Sequence, residues 1–138
     1  MKRRNRAGFT LIELMVVAII VAILAAVAIP LMSANKKRAM ATEAEAGLGS
    51  LRTALRAVYA ETSAYNKDYN GNAITAITNL PGVATVDLNG KYFQSSDYSL
   101  SAVGQNTYTL RVAGNATTDV AGVVITLDQA GGWNRQGL

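Results

Sequence analysis

An apolar run occupies the amino-terminal part of the chain. From residue 9 to residue 32, the only side chains that are neither apolar nor proline are Thr10 and Glu13. As a helix at about 1.5 Å per residue, this run would extend about 36 Å, enough to cross a hydrocarbon core of about 30 Å. Gly8 precedes it, after four basic residues: Lys2, Arg3, Arg4 and Arg6. The pattern predicts a membrane-spanning helix whose basic end stays in the cytoplasm.

Beyond Ser33 the apolar positions recur at three- and four-residue steps, which is the period of a helix. The stripe consists of Ala41, Ala44, Leu48, Leu51, Leu55 and Val58. We therefore expect an amphipathic helix over residues 33–60 that continues the first one. Gly47 and Gly49 lie inside it, where glycine disfavours a helix, and they mark either flexibility or a sheet crossing close over the helix. The cluster at residues 36–38 (Lys-Lys-Arg) is typical of a solvated stop after a span, although lipid phosphates are an alternative ligand.

Residues 62–72 are polar and rich in asparagine, which predicts a loop. Asp68, Asn70 and Asn72 have the opening spacing of a calcium loop. That pattern then fails, because Ala73 and Asn79 stand where glycine and glutamate are needed, so an Asn/Gly turn is favoured. Three apolar residues at three-residue steps next predict a short helical turn: Ile74, Ile77 and Leu80.

After Gly82 the apolar period changes to two, the period of a strand. Three strands are predicted, with inward positions Tyr98, Leu100 and Ala102, then Tyr108, Leu110 and Val112, then Val123, Ile125 and Leu127. Residues 86–93, with Asn89 and Gly90 at their centre, predict an additional small hairpin, and Tyr98 and Tyr108 fit cross-strand pairs. Such a sheet needs a cover, and the helical stripe provides one. The predicted class is α+β, a long amino-terminal helix with a small antiparallel meander sheet packed on its second half.

Composition narrows the range of functions. The net charge of +4 includes the four basic residues before Gly8, and without them nine Lys and Arg stand against nine Asp and Glu. This balance argues against nucleic acid as a partner. Cysteine and histidine are absent, and no recognisable catalytic pair of carboxylates occurs. We therefore expect no enzyme, no metal site and no cofactor.

Solvation alone does not explain a glutamate at position 13 of an apolar membrane segment. Placing an ionised carboxylate such as that of Glu13 at the centre of a bilayer costs about 3 kcal/mol of free energy. Cleavage between Gly8 and Phe9 would create an α-amino group on Phe9, a cation with a pKa of about 8. That amine would lie four residues from Glu13 on the same helical face, and the amine of a neighbouring copy is an alternative partner. A simple signal anchor would explain the apolar length and the arginines, but neither Glu13 nor Gly8.

The run GFTLIEL at residues 8–14, after a short basic leader and before an apolar helix with Pro30 near its end, resembles the class III signal of type IV pilins and type II secretion pseudopilins. The resemblance implies cleavage after Gly8 by a prepilin peptidase, N-methylation of Phe9 and a role for Glu13 in docking subunits. It also implies an inner-membrane assembly platform and identical subunits as partners. Pro30 removes a helical hydrogen bond and predicts a kink, and in this family the stretch before this proline loosens in the filament.

These inferences divide the chain into a leader peptide (1–8), a transmembrane and filament-core helix (9–32), an amphipathic helix (33–60) and an exported globular domain of loop and sheet (61–138). The predicted function is a type IV pilin-like structural subunit, stored in the bilayer of the inner membrane with its carboxyl-terminal domain exported, and polymerised into a helical surface filament. One alternative is a type II secretion pseudopilin in a short periplasmic pseudopilus. Another is a minor tip subunit that binds DNA or a surface.

Overall fold

The computed structural model describes residues 8–138, so the predicted basic leader ahead of Gly8 lies outside the described residues. The chain forms two compact units with a boundary between Asn35 and Lys36. One helix, α1 (Leu11–Thr62), contributes to both units. It contains Pro30, which has no N–H to donate to the carbonyl of Ala26. The kink at this proline stays a prediction.

The second half of α1 buries the predicted stripe. Its buried residues are Met40, Ala41, Ala44, Leu48, Leu51, Leu55 and Val58. They form a single core cluster with apolar residues of the sheet and of the loops, among them Phe93 and Tyr108. The period that predicted an amphipathic helix is thereby confirmed, with Met40 as an addition to the stripe.

Four antiparallel strands form one sheet in the order β1-β2-β3-β4. The strands are β1 (Tyr98–Ser101), β2 (Thr109–Ala113), β3 (Val124–Asp128) and β4 (Trp133–Gln136). Leu100 lies opposite Leu110, which in turn lies opposite Leu127, so these three leucines share the face toward the core. The α+β class, with a meander sheet on the second half of the helix, is confirmed.

Details of the predicted sheet were wrong in three places. The sequence predicted three strands, and β4 was missed because only Trp133 in its four residues is apolar. Ala102 is not an inward strand position, since it adopts a positive φ of 50° and ends β1 at Ser101. Tyr108 precedes β2, so Tyr98 pairs with Val112 and not with a tyrosine.

The hairpin predicted over residues 86–93 was also wrong. In the described residues this region contains no strand, and a 3-10 helix (Thr85–Leu88) begins it. A second 3-10 helix (Ser95–Asp97) follows. A tertiary contact competes with the hairpin, because the carboxylate of Glu43 accepts the backbone N–H groups of residues 91–93, two of which, at Lys91 and Phe93, a hairpin turning at Asn89-Gly90 would have used.

The remaining loop predictions largely hold. Ile74, Ile77 and Leu80 are buried, with a 3-10 helix at Ile77–Asn79. Asp68 accepts the N–H groups of Asn70 and Asn72 at 2.9 and 2.7 Å, as in an ordinary Asx turn.

Gly47 marks the place where the sheet crosses the helix closely. A Cβ atom there would lie 2.7 Å from the Tyr98 ring, whereas a Cβ at Gly49 would meet open space. The close-crossing interpretation is therefore confirmed at Gly47 only.

Candidate assembly site

Residues 9–32, which include the amino-terminal part of α1, expose an apolar surface that only Thr10 and Glu13 interrupt. All sixteen large hydrophobic side chains from Phe9 to Met32 are exposed, and Phe9 is 83 % exposed. By length and composition α1 can cross a membrane, and its most apolar stretch contains no buried residue. Such a surface is stable only when lipid or other protein covers it.

At the start of this surface, Thr10 and Glu13 form a reciprocal hydrogen-bonded pair. The Glu13 carboxylate accepts the Thr10 backbone N–H at 2.7 Å and the Thr10 hydroxyl at 2.9 Å. The Glu13 N–H donates back to the Thr10 hydroxyl oxygen at 3.3 Å. This is a capping box, in which two donors that a helix start leaves without partners are satisfied. It also gives the carboxylate partners within its own subunit.

The capping box was missed in the sequence, although its signal was present. A threonine followed three residues later by glutamate at the start of an apolar helix is the recognised pattern. From the sequence, the Phe9 amine, of the same or a neighbouring subunit, was the only predicted partner of Glu13. In the described chain, Phe9 is joined to Gly8 by a peptide bond, so its nitrogen is an amide and offers no cation to Glu13.

Gly8 has no structural reason to be glycine. A Cβ there would meet nothing within 4 Å, and its φ is not positive. Folding would therefore tolerate larger residues, and a requirement for glycine would have to come from recognition by another molecule. Cleavage at this position remains a prediction.

Lys36 and Lys37 tie α1 to the loop between β2 and β3. The Lys36 Nζ lies 2.7 Å from the Asp119 carboxylate, and the Lys37 Nζ donates to the Ala121 carbonyl at 3.3 Å. The hydrogen bond from Lys36 holds the pKa of Asp119 below its usual range. Two charges of the basic cluster are thus used inside the second unit, which neither the stop nor the lipid interpretation had anticipated.

No group of three or more metal-ligating side chains occurs within residues 8–138. Both oxygens of Asp68 accept hydrogen bonds from its own loop, including one from the Asn72 side chain at 2.9 Å. This part of the chain offers an internally satisfied turn in place of a cation site.

Comparison with known proteins starts from the same helix. The prokaryotic N-terminal methylation motif matches residues 3–29. The type II secretion system core protein G of Aeromonas hydrophila is 28% identical over 97% of this chain and 96% of its own length. The chain is thus similar to type II secretion pseudopilins and carries the N-terminal methylation motif. The resemblance to type IV pilins and type II secretion pseudopilins drawn from residues 8–14 is therefore confirmed.

Two further relatives of this pilin-like chain match over shorter segments. The type IV major pilin PilA of Myxococcus xanthus is 46% identical over 63 residues, which cover 46% of this chain and 28% of PilA. The core protein G of Pseudomonas aeruginosa is 37% identical over 71 residues, which cover 51% of this chain and 50% of the relative.

Among solved structures, the non-core minor pilin PilV of Neisseria meningitidis superposes with a TM-score of 0.51. The superposition covers 75% of this chain and 90% of PilV at 20% identity. At that identity the likeness shows the pilin fold alone.

Proposed function

We propose that this protein is a structural subunit that is cleaved after Gly8, methylated on the Phe9 nitrogen, stored in the inner membrane and polymerised into a helical surface filament. The observation that carries the proposal is the apolar surface of residues 9–32, whose large hydrophobic side chains are all exposed in the described chain. In this proposal the role of the subunit is structural, as a building block of the filament, and it involves no catalysis.

The energetics restrict where this helix resides. Burial of a large apolar side chain stabilises by about 2 kcal/mol, so the sixteen side chains amount to on the order of 30 kcal/mol. The free helix therefore does not persist in water. Lipid and a bundle of identical helices cover the surface almost equally well, because lipid tails are as apolar as leucine. Hydrophobicity thus retains the subunit in the bilayer or the filament, and polar contacts decide between the two.

Glu13 is the polar group whose contacts would differ between the bilayer and the filament. Within one subunit, the capping hydrogen bonds from Thr10 give partners to one oxygen of its carboxylate. After cleavage, the Phe9 amine of an adjacent subunit, or of the same one, would offer a cation, and a buried carboxylate gains more from a cation than from neutral donors. The prepilin peptidase and the inner-membrane assembly platform are the partners that this sequence of events requires.

A type II secretion pseudopilin is the second candidate. The match to the Aeromonas core protein G extends over nearly the whole chain, whereas the match to the Myxococcus pilin covers less than half of it. A pseudopilus would use the same helix and the same Glu13 in a short periplasmic assembly. A minor tip subunit for DNA or a surface has no comparable support, because the likeness to PilV concerns the fold alone.

The proposal is tested by intact-mass measurement and electron microscopy of two strains, one with the unchanged chain and one with Gly8→Val. Sheared filaments should contain chains that begin at Phe9 with an added methyl group, and Gly8→Val should leave the precursor uncut and the cells without filaments. Filament subunits that still carry residues 1–8 would refute it. If the parent strain has no long surface fibres and the deletion strain loses exoprotein release, the subunit is assigned to a pseudopilus instead.

A further inference from the structure

Arg52, Arg56 and Tyr59 form one flank of the second half of α1, here called the cationic flank. The two arginines are four residues apart, so their like charges lie on neighbouring turns, which is mildly destabilising in an isolated helix. Within residues 8–138 neither side chain makes an ion pair, and Arg56 is exposed. The Arg52 guanidinium lies beside Gly131 of the β3–β4 turn, where there is no room for a side chain. The fold therefore positions two positive charges without neutralising them.

A groove opens on the other flank of the same helix segment, here called the acidic groove. It has a volume of about 500 Å³. Its lining includes Ala54, Ala57, Tyr69, Val83 and Leu88, together with one acidic residue, Asp87. Val86 projects next to Asp87 and is 66 % exposed, although valine normally prefers the core.

Asp87 is unusual among the carboxylates of the second unit. Side chains of the other acids in Lys36–Leu138 accept a hydrogen bond or form an ion pair within the described chain, with Glu61 as the one further exception. Unlike Glu61, Asp87 stands at the edge of an apolar groove. A partner that fills the groove and brings a cation would satisfy both features at once.

The two surfaces cannot meet within one copy. At about 100° per residue, the cationic flank and the helix positions that line the groove lie about 140° apart around the axis of α1. Complementary surfaces on different sides of one molecule join copies head to tail, and such contacts generate open helical assemblies when the rotation does not close. Charge complementarity thus identifies a second copy of this chain as the occupant.

We propose that the acidic groove of one subunit receives the cationic flank of the next, with Arg52 and Arg56 directed at Asp87 and Tyr59 against the apolar lining. The contact rests on the proposed filament, and it adds a subunit interface in the globular unit to the one between apolar helices. It also gives the polymer a direction, since each subunit presents a groove on one side and arginines on the other.

Cross-linking of full-length chains in assembling cells tests the contact. The chain has no cysteine, so single cysteines can be placed beside the charges without removing them. Copies carrying Val86→Cys are coexpressed with copies carrying Ala60→Cys, one helical turn beyond Arg56, and treated with a short bismaleimide. The matched control replaces Ala60→Cys with Ser99→Cys, which is exposed on the outer face of β1. We expect several-fold more dimer from the first pair, and equal yields from both pairs would overturn the inference.

Charge reversal provides the second arm. Asp87→Lys, and separately Arg52→Glu with Arg56→Glu, should each lower filament number at least about tenfold, because like charges then face each other across the contact. Combining all three substitutions should restore filaments. Combining Glu61→Lys with the two arginine substitutions should not.

The outcomes separate this inference from the proposed function. Filaments from the unchanged chain together with no rescue by the triple substitution would overturn the groove contact and leave the filament proposal intact. If the unchanged chain forms no filaments, the proposed function fails, and the inference that rests on it fails as well.

Discussion

Glu43 fastens the loop before β1 to the helix beneath it. One carboxylate oxygen accepts the backbone N–H groups of Tyr92 and Phe93, each at 2.8 Å, and the other accepts that of Lys91 at 3.0 Å. Burial alone would raise the pKa of Glu43, but the three N–H donors outweigh it and hold the pKa below its usual range. Nearby, burial, together with the charges of Glu43 and Asp97, raises the pKa of Tyr98 to about 12. The Glu43 contact therefore depends on an ionised carboxylate.

We predict that this contact is acid-sensitive. Because the folded pKa is lowered, its contribution to stability is fully present above the unfolded value of about 4.3 and is lost as the pH falls through the folded pKa. Glu43→Gln should cost about 2 kcal/mol at pH 7 and flatten the pH dependence below pH 5. Urea unfolding at several pH values measures both effects. Glu45→Gln is the control, since its pair with Arg135 is partly exposed and should be worth less than about 1 kcal/mol.

Two glycines in one helix should respond to alanine in opposite directions. Gly47→Ala places a Cβ against the Tyr98 ring, which is only 5 % exposed and cannot move aside freely, so a loss of about 1–3 kcal/mol is expected. Gly49→Ala meets open space and should stabilise by up to about 1 kcal/mol through helix propensity. Thermal unfolding followed by circular dichroism compares the two. An equal gain from both substitutions would contradict the close crossing.

At the scale of elements, the start of α1 combines two roles in one side chain. Glu13 caps the helix through Thr10, and we propose that it pairs with the Phe9 amine in the filament. Glutamine also functions in a capping box. Glu13→Gln therefore keeps the cap and removes the charge, and this separates the two roles.

We predict that Glu13→Val and Glu13→Gln both leave export, cleavage after Gly8 and the folded domain intact, while processed subunits accumulate in the inner membrane with few or no filaments. The reason is that neither side chain carries the negative charge that would form an ion pair with the Phe9 amine inside an apolar bundle. Filaments counted by electron microscopy at matched subunit levels give the readout. Normal numbers from Glu13→Gln would mean that the residue only caps the helix.

The sequence predicted elements whose own periodicity determines them. The stripe from Ala41 to Val58 and the alternation at residues 98–101, 109–113 and 124–128 emerged as buried faces. The sequence prediction failed where contacts between residues far apart in the chain determine the local structure. Residues 86–93 form no hairpin, because the carboxylate of Glu43, more than 40 residues away, accepts backbone N–H groups of this segment. β4 has no inward alternation to detect, because its last three side chains are exposed and backbone pairing with β3 holds it in the sheet.

The candidate site shows the same division. Glu13 stood out in the sequence because a carboxylate in an apolar run is costly, and its capping box with Thr10 was readable but was overlooked. The acidic groove was beyond prediction, since it brings together Ala54 of the helix and Asp87 of a loop whose path depends on Glu43.

At the scale of the whole molecule, the second unit contains its own core. Every core-cluster residue lies within Lys36–Leu138, and two ion pairs, Lys36 with Asp119 and Glu45 with Arg135, also form inside it. The unit therefore has the contacts needed to fold without the apolar helix.

We predict that the fragment Lys36–Leu138 is soluble, melts cooperatively and is unaffected by reductant, because the helical stripe stays covered by the sheet and there is no disulfide to lose. Circular dichroism should show helix and strand together. A spectrum without helix, or a melt without a transition, would show that the first unit is needed for folding.

The two edges of the sheet have a consequence for a chain that accumulates in many copies. β1 and β4 are the outer strands, each only four residues long, and the last three side chains of β4 are polar and exposed. Short, polar edges are poor templates for strand addition, which is the route to amyloid-like aggregates. Crowded subunits thus have little tendency to join edge to edge into β-rich deposits. In the proposed filament, growth through helices and grooves would then meet little competition from irreversible aggregation.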